Sequence, residues 1–306
     1  MKILITGGLG GLGRHICKNL LEKGHEITIF DLKTMNNQMG ANKFPDLVKW
    51  GNILDENTYK DLIPDQDVII HLAFILPPWS ETNPKAYEIN VEGTRQLVKL
   101  IEQLNPNCRL IFTSSVAVFG HTHNENPPIT VDHPVFATDN YSEHKIKCEN
   151  IVKNSNLEWI ILRFAEAPYL NVDLKPKNLK RMYSLPWDQR VEFIHPLDVA
   201  LAVSNAVSIP PHQAKKTYII GGGTQCQLIY YDQIVKLFEM FNLPPPNKEK
   251  FSNDHFYLDW YDTNTSEKVF NFQKRNFDDY IDDLRSNLGW KVGFIRFFAP
   301  LVKIFI

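Results

Sequence analysis

The feature that most constrains this chain is the stretch Thr6–Gly13, TGGLGGLG, which directly follows the apolar segment KILI. Glycine weakens ordinary helices and strands, so a run of five glycines at this point needs a physical reason. Gly7, Gly10 and Gly13 are evenly spaced and open a segment with apolar residues at helical spacing. Between a strand and a helix, such glycines permit a tight turn, a close approach of backbone N–H groups to a pyrophosphate, and close packing of the helix on the strand. The stretch therefore predicts a dinucleotide-binding turn.

A carboxylate supports this interpretation, because Asp31 ends the second strand-like run, HEITIFD. A carboxylate at that point accepts hydrogen bonds from ribose hydroxyls and repels a 2′-phosphate. The sequence therefore favours NAD over NADP as the cofactor. The neighbouring Lys33 and Arg14 make this preference a moderate one.

Short β-branched runs alternate with helix-like segments through the first half of the chain. Most of these runs are continuously apolar, which is typical of parallel strands buried on both faces. They are KILIT, HEITIF, DVIIHLAF, RLIFTSS and WIILRF, and the helix-like segments between them include ENTYKDL and YSEHKIKCENIVKNS. This alternation predicts an α/β fold with a doubly wound parallel sheet, the Rossmann arrangement.

The rhythm changes after about residue 165, where the chain becomes rich in Pro, Asn and Lys. We expect a dinucleotide-binding domain at 1–165, to which residues 192–222 return. A smaller, discontinuous substrate-binding region would comprise 166–191 and 223–306. It is expected to close over the carboxyl ends of the parallel strands, where open α/β sheets bind ligands.

Composition excludes several classes of protein. The 306 residues are 43% hydrophobic and carry a formal charge of −2, with no lysine- or arginine-rich block of the kind that binds nucleic acid. Lys2 is followed at once by a strand-like run, so we expect no signal peptide, and no apolar run approaches the length of a membrane span. Widely spaced cysteines indicate buried thiols in a reducing compartment, the cytoplasm; they are Cys17, Cys108, Cys148 and Cys226.

Seven motifs in this order resemble the extended short-chain dehydrogenase/reductase family, in particular its NAD-dependent epimerase/dehydratase group. The resemblance spans residues 3 to about 223. It rests on TGGLGGLG, Asp31, DVIIHLAF, NVEGT, FTSSVAVFG, YSEHK and FIHPLDVA. It implies a Rossmann fold, an NAD cofactor and hydride-transfer chemistry.

The motif YSEHK carries the predicted catalytic pair, Tyr141 and Lys145, four residues apart on one helix face. An adjacent ammonium stabilises a phenolate, so we expect Lys145 to lower the pKa of Tyr141 and make it the acid/base. The resemblance implies that Lys145 also contacts the ribose. It further implies a catalytic hydroxyl that binds the reacting oxygen, at Ser115 or alternatively at Ser114.

Further cofactor contacts follow from the same resemblance. Asn52 and Ile53 match a pair beside the adenine, with Asn in place of the usual acid. Ala73 would line the dinucleotide groove, and Asn90 would support the active-site backbone or a water molecule. Each position has an alternative role in packing alone.

Histidines give no metal prediction. His121 and His123 lie on a predicted loop, and with Asp132 they make only a weak HxH pattern, so we interpret the loop as solvated and predict no metal site. Asp198, in FIHPLD, is expected to cap a helix or to connect the two regions.

The substrate remains open at this level. Nucleotide-sugar enzymes of the family commonly have asparagine where Glu166 stands and arginine where Val191 stands, and both differences disfavour a diphosphate. Arg181 or Arg190 is a candidate for replacing the lost cation. The residues expected to face the pocket suit a greasy or aromatic substrate; they are Phe74, Ile75, Leu76, Pro77, Pro78 and Trp79.

The tail 290–306 has Phe294, Phe297 and other apolar residues at helical spacing with interspersed cations. Two alternatives fit this pattern: an amphipathic helix on a membrane surface, or a helix packed on the second region or on another subunit. A homodimer is expected from the family, which often pairs through two helices of the sheet domain.

The sequence thus predicts an NAD-dependent oxidoreductase acting on a hydroxyl or carbonyl carbon of a small organic molecule. One alternative is a nucleotide-sugar epimerase or dehydratase, in which the same hydride step begins another reaction. The other alternative is a non-catalytic NAD-binding regulatory protein.

Overall fold

The structure, a computed structural model, describes residues 1–170 and 181–302. Parts of two predicted regions therefore lie outside the described residues. These parts are 171–180, within the predicted substrate region 166–191, and 303–306, at the end of the tail 290–306.

A parallel sheet of seven strands lies at the centre of the fold. The described residues form nine strands, seven in this sheet and two in a separate pair. In chain order they are β1 (Lys2–Thr6), β2 (Glu26–Asp31), β3 (Val48–Trp50), β4 (Val68–His71), β5 (Arg109–Ser115), β6 (Glu158–Phe164), β7 (Arg190–Glu192), β8 (Lys216–Ile220) and β9 (Gln227–Ile229). The sheet order is β3–β2–β1–β4–β5–β6–β8, while β7 and β9 form a separate antiparallel pair. The order reverses between β1 and β4, and such a switch point opens a crevice at the carboxyl ends of the strands.

Helices flank both faces of this sheet and form the second region. They are α1 (Gly11–Glu22), α2 (Met35–Ala41), α3 (Trp79–Thr82), α4 (Gly93–Leu104), α5 (Asn140–Lys153), α6 (Pro196–Ala206), α7 (Tyr230–Met240), α8 (Asn264–Phe270), α9 (Phe277–Leu288) and α10 (Trp290–Val302). None of the described helices is long and apolar enough to cross a membrane.

Neighbouring residues of one strand belong to different cores, which explains why the strands are continuously apolar. On β1, Ile3 and Ile5 pack in one buried cluster and Leu4 in the cluster on the opposite face. Successive side chains of a strand point to opposite faces, so a strand between two cores needs apolar residues at every position. The predicted doubly wound parallel sheet is confirmed.

Two local features differ from the sequence prediction. ENTYKDL is two short 3₁₀ turns, Glu56–Thr58 and Lys60–Leu62, so the predicted helix is wrong there. The Asp55 carboxylate accepts a hydrogen bond from the Asn57 N–H, and the following Tyr59 is buried beneath the sheet. Strand β3 has only three residues, which is too short to show a period in the sequence.

A third core joins α7, α9 and α10, with Met240, Phe277 and Leu284 at its centre. Asp198, at the start of α6, connects the sheet to this part of the chain. Its carboxylate accepts hydrogen bonds from the Lys274 and Arg275 N–H groups, both at 2.8 Å, and pairs with the Arg275 guanidinium. These contacts fix α9 relative to the edge of the sheet.

Candidate active site

The glycine-rich turn connects β1 to α1 at the switch point of the sheet. Gly7 has φ +74°, and a Cβ at this position would lie 2.6 Å from the Ala73 nitrogen on β4's continuation. A Cβ on Gly13 would lie 2.6 Å from the Gly8 carbonyl oxygen. Gly10 precedes α1 without any side-chain cap, so the N-terminus of the helix faces the crevice with backbone N–H groups alone. This turn fits the phosphates of a dinucleotide.

Asp31 is fixed against this turn. Its carboxylate accepts hydrogen bonds from the Leu9 N–H at 2.9 Å, the Leu32 N–H at 2.8 Å and the Asn37 side-chain amide at 3.0 Å. Burial raises the pKa of Asp31, and the two backbone hydrogen bonds oppose that rise. The carboxylate is held at the edge of the crevice, where a ribose would lie.

A single cavity of about 520 Å³ extends from the glycine-rich turn to the carboxyl ends of β4, β5 and β6. It brings together nearly all the residues that the sequence analysis selected. Those lining it are Gly7, Gly10, Gly13, Asp31, Asn52, Ile53, Ala73, Ser115, Tyr141 and Lys145. These ten residues, from six separate segments, thus converge on one elongated site.

Tyr141, Lys145 and Ser115 form a compact group at one end of the cavity. The Ser115 side chain lines the cavity with Tyr141 and lowers the pKa of its phenol. The Lys145 ammonium donates to the Thr113 carbonyl at 2.7 Å and lies 3.5 Å from the centre of the Phe74 ring. The Phe74 ring also meets Tyr141 edge-on, with ring centres 5.9 Å apart.

The protonation of this group differs from the sequence expectation. Burial raises the pKa of Tyr141 to about 12, and the Ser115 side chain only partly opposes it. Burial also lowers the pKa of Lys145 to about 7. The ammonium is directed at Thr113 and Phe74, so it does not offset the burial of the phenol. A raised pKa favours the protonated phenol of Tyr141.

Ser114 has a different role from Ser115. Its hydroxyl donates to Glu149 Oε1 at 2.7 Å, inside the protein. The same carboxylate forms a bidentate pair with Arg163, at 2.9 and 2.8 Å, and both side chains are 3% exposed. The Ser114 hydroxyl is thus engaged by Glu149, whereas the Ser115 side chain acts on the pKa of Tyr141.

Asn90 lies behind the cavity wall. Its side chain accepts from the Ile75 N–H at 2.7 Å and donates to the Ile75 carbonyl at 3.0 Å, and its amide contacts His144 at 3.2 Å. Any role of Asn90 in cofactor binding is thus exerted through the backbone at Ile75, which lines the cavity.

The structure gives one selected residue a further role and adds two contributors that the sequence analysis did not select. Phe74 was assigned only to the substrate pocket, although it covers Lys145. Glu81 accepts hydrogen bonds from the Asn140 and Tyr141 N–H groups at 3.2 and 3.3 Å, at the N-terminus of α5. Glu149 had a visible signal, because it follows Tyr141 and Lys145 at a further four residues and so shares their helix face.

The histidine loop and Arg190 have structural partners. His123 stacks on His255, with ring centres 3.8 Å apart. In the described part of the chain, no three His, Cys, Asp or Glu side chains are grouped to hold a metal ion. Arg190 pairs with Asp259 at 2.6 and 2.9 Å and donates to three carbonyls of residues 122–125. Its guanidinium is therefore already engaged.

Glu166 is a half-buried acid just beyond β6, and its Oε2 atom is inaccessible to solvent. Among the described residues its Oε2 atom has no hydrogen-bond partner. Burial raises the pKa of Glu166 to about 7, and the Gln233 side chain only partly offsets this. The carboxyl group in turn contributes to the raised pKa of Tyr230 on α7 and Tyr280 on α9.

We expect the free energy of unfolding of Glu166→Gln, relative to that of the wild type, to be higher at pH 8 than at pH 5. Between the ordinary pKa of 4.5 and the folded value of about 7, the native state binds more protons than the unfolded state, so the stability of the wild type falls as pH rises. The variant lacks this decline, so its free energy of unfolding relative to the wild type should rise by about 2 kcal/mol from pH 5 to pH 8. Urea unfolding at both pH values measures it, with exposed Glu22→Gln as control. An equal difference from wild type at pH 5 and pH 8 would contradict the raised pKa.

Comparisons with known proteins agree with this geometry. The model of the family described as NAD dependent epimerase/dehydratase family matches residues 3–221. D-erythronate dehydrogenase of Haemophilus influenzae is 31% identical over 164 residues, covering 50% of each chain. UDP-glucose 4-epimerase of Bacillus subtilis is 29% identical over 174 residues, covering 53% of this chain and 50% of its own. The matched part thus spans about half the length of these curated relatives.

A solved structure extends the similarity to the whole fold. It is a short-chain dehydrogenase/reductase superfamily protein from Agrobacterium tumefaciens with bound NAD, and it superposes with a TM-score of 0.78 at 19% identity. The superposition covers 95% of this chain and 99% of that chain. The family model matches residues 3–221, which is 219 of the 306 residues. The chain therefore belongs to the NAD dependent epimerase/dehydratase family.

Proposed function

We propose that this protein is an NAD-dependent oxidoreductase acting on a hydroxyl or carbonyl carbon of a small organic substrate. One observation carries the proposal: the glycine-rich turn and the Tyr141–Lys145–Ser115 group line the same cavity. NAD, when bound, supplies or accepts the hydride. The residues that would hold it are Gly7, Gly10, Gly13, Asp31, Asn52, Ile53 and Ala73, with Tyr141 and Lys145 at the nicotinamide ribose and Asn90 acting through Ile75.

The chain's own residues would bind the reacting oxygen and move its proton. In the reducing direction, Tyr141 donates its phenolic proton to the substrate oxygen, and in the oxidising direction it takes that proton back. The Ser115 hydroxyl holds the same oxygen by a hydrogen bond. Lys145, braced by Thr113 and Phe74, orients the ribose side of the site.

The residues on the substrate side of the cavity favour an uncharged, largely apolar substrate. Phe74, Ile75, Leu76 and Phe164 contribute apolar walls there. Among the described lining residues, Asp31 and Lys145 are the charged ones, and Arg190 is engaged by Asp259 outside the cavity. A diphosphate binds best to guanidinium groups, and none of the described lining residues is an arginine.

The second candidate is a nucleotide-sugar epimerase or dehydratase, and it is favoured by the family and by the UDP-glucose 4-epimerase relative. Absorbance of the nicotinamide during a substrate screen separates the two. Net accumulation of reduced cofactor with substrate supports the oxidoreductase. Product formation with a catalytic, tightly held amount of NAD supports the epimerase, and NAD binding without any turnover supports the regulatory protein.

We expect NAD to bind at least about tenfold more tightly than NADP, and Asp31→Asn to lose most of this preference. The substitution keeps an acceptor for Leu9 but removes the charge that binds ribose hydroxyls and repels a 2′-phosphate. Calorimetric titration with both dinucleotides measures it, and Glu22→Gln, at an exposed position outside the cavity, should keep the wild-type ratio. Equal affinity of the wild type for the two cofactors would contradict the assignment.

Three further proposals concern organisation. The dinucleotide-binding domain would comprise 1–165 with 192–222, and the substrate-binding region 166–191 with 223–306. A homodimer would form through α4 and α5, whose outer surface contains a groove lined by Tyr87, Ile151 and polar side chains. The four free, buried cysteines support a cytoplasmic location. The apolar and cationic pattern of 290–306 supports a peripheral membrane contact.

A further inference from the structure

Helix α10 is anchored to the protein by one of its faces. Val292 is 5% exposed and belongs to the core formed with Leu284 on α9, and Ile295 packs against the same core. Arg296 Nε donates to the Met240 carbonyl at the end of α7, at 3.0 Å. These contacts fix the orientation of the helix about its axis.

The opposite face presents three large aromatic side chains to the surface, which we call the aromatic stripe: Trp290, Phe294 and Phe297. Their exposed fractions are 75%, 57% and 78%. The spacing of four and three residues aligns them along one side of the helix, and the rings of Trp290 and Phe294 are 6.2 Å apart. Contiguous exposed apolar side chains of this size mark an interaction site.

The charge around the stripe identifies the chemistry of its partner. Lys291 directly follows Trp290, and residues 290–306 contain no aspartate or glutamate, whereas Arg296 is engaged by the Met240 carbonyl on the anchored face. A second copy of this helix would bring a second Lys291 ammonium without any acid to pair with it, which is unfavourable. An anionic surface would pair with the Lys291 ammonium while the aromatic rings enter its apolar layer.

We propose that the aromatic stripe docks the protein in the interfacial plane of an anionic lipid bilayer. Trp and Phe enter the boundary between headgroups and acyl chains, and Lys291 lies among the phosphates. The helix stays attached to its own core through Val292 and Ile295, so the bilayer takes only the outer face. This inference does not depend on the enzymatic chemistry, and NAD binding therefore serves as an independent control for folding.

Vesicle flotation of the full chain tests the proposal. We expect binding to phosphatidylcholine vesicles that contain phosphatidylserine, and weaker binding to phosphatidylcholine alone or at high salt. The triple variant Trp290→Ser, Phe294→Ser, Phe297→Ser should lose about tenfold or more of the bound fraction. Lys291→Gln should reduce binding to the anionic vesicles alone. Phe136→Ser is the matched control, because Phe136 is 71% exposed on a loop far along the chain from α10.

The experiment has outcomes that overturn the proposal. Wild-type protein that stays with the unbound fraction on anionic vesicles would do so, as would a triple variant that floats as well as the wild type while still binding NAD. A wild type that ignores vesicles, and whose dimer becomes a monomer in the triple variant by light scattering, would identify a second copy as the occupant.

Discussion

Replacing Tyr141 by phenylalanine should lower kcat by about a thousandfold while leaving NAD affinity within about threefold of the wild type. The substitution removes only the hydroxyl that would exchange a proton with the substrate. The ring, with its edge contact to Phe74, remains in position. The loss should appear in kcat and in kcat/KM to a similar extent, because the hydroxyl acts in the transition state.

The measurement is steady-state kinetics with a substrate identified by the screen, together with titration of NAD. Tyr87→Phe is a suitable control, because Tyr87 lies outside the cavity and contacts Lys147 on the outer side of α5. Wild-type turnover by Tyr141→Phe would remove the phenol from the mechanism. A collapse of NAD affinity with kcat unchanged would limit the role of the Tyr141 hydroxyl to cofactor binding.

Glu149→Gln should reduce the free energy of unfolding by about 3–5 kcal/mol, the range for breaking one partner of a buried ion pair. The substitution leaves the Arg163 guanidinium, which is 3% exposed, without its counter-charge. Ser114 and Lys153 also lose a charged acceptor. This network connects α5 to β5 and β6 directly behind the proposed catalytic group, so turnover should fall together with stability.

The pH dependence of that loss provides a second readout. Burial alone would raise the pKa of Glu149, but Arg163 and Lys153 outweigh it and hold the pKa below its ordinary value. The contribution of the carboxylate is therefore present above the unfolded pKa and lost as pH falls through the folded pKa. The difference between wild type and Glu149→Gln should shrink in acid.

Urea unfolding measures both effects. Glu143→Gln is the matched control on the same helix, because Glu143 forms an exposed pair with Lys147. This substitution should lower the free energy of unfolding by less than about 1 kcal/mol. Losses of similar size for the two variants would show that the buried network contributes no more than a surface pair.

Features with a local physical cause could be predicted from the sequence. The glycine-rich turn needs small residues because backbone atoms of Ala73 and Gly8 approach Gly7 and Gly13, and that requirement is visible as a motif. Strands buried on two faces are continuously apolar, which is why the sheet was recognisable. The four-residue interval between Tyr141 and Lys145 put them on one helix face.

Features that depend on contacts between distant segments could not be predicted. The ammonium of Lys145 turns to Thr113 and Phe74, residues 32 and 71 positions away, so its effect on Tyr141 could not be deduced from helical spacing. The choice between Ser114 and Ser115 depended on Glu149, which lies 35 residues after Ser114. The engagement of Arg190 by Asp259, 69 residues later, was equally invisible.

The most direct test of the central claim is the position of the nicotinamide ring in a crystal structure of the full chain grown with NAD. The account predicts one dinucleotide, with its pyrophosphate at the turn of Gly7, Gly10 and Gly13 and its nicotinamide ring beside the Tyr141 hydroxyl. A dinucleotide bound with that ring away from Tyr141, or no binding of any pyridine dinucleotide by the folded protein, would contradict it.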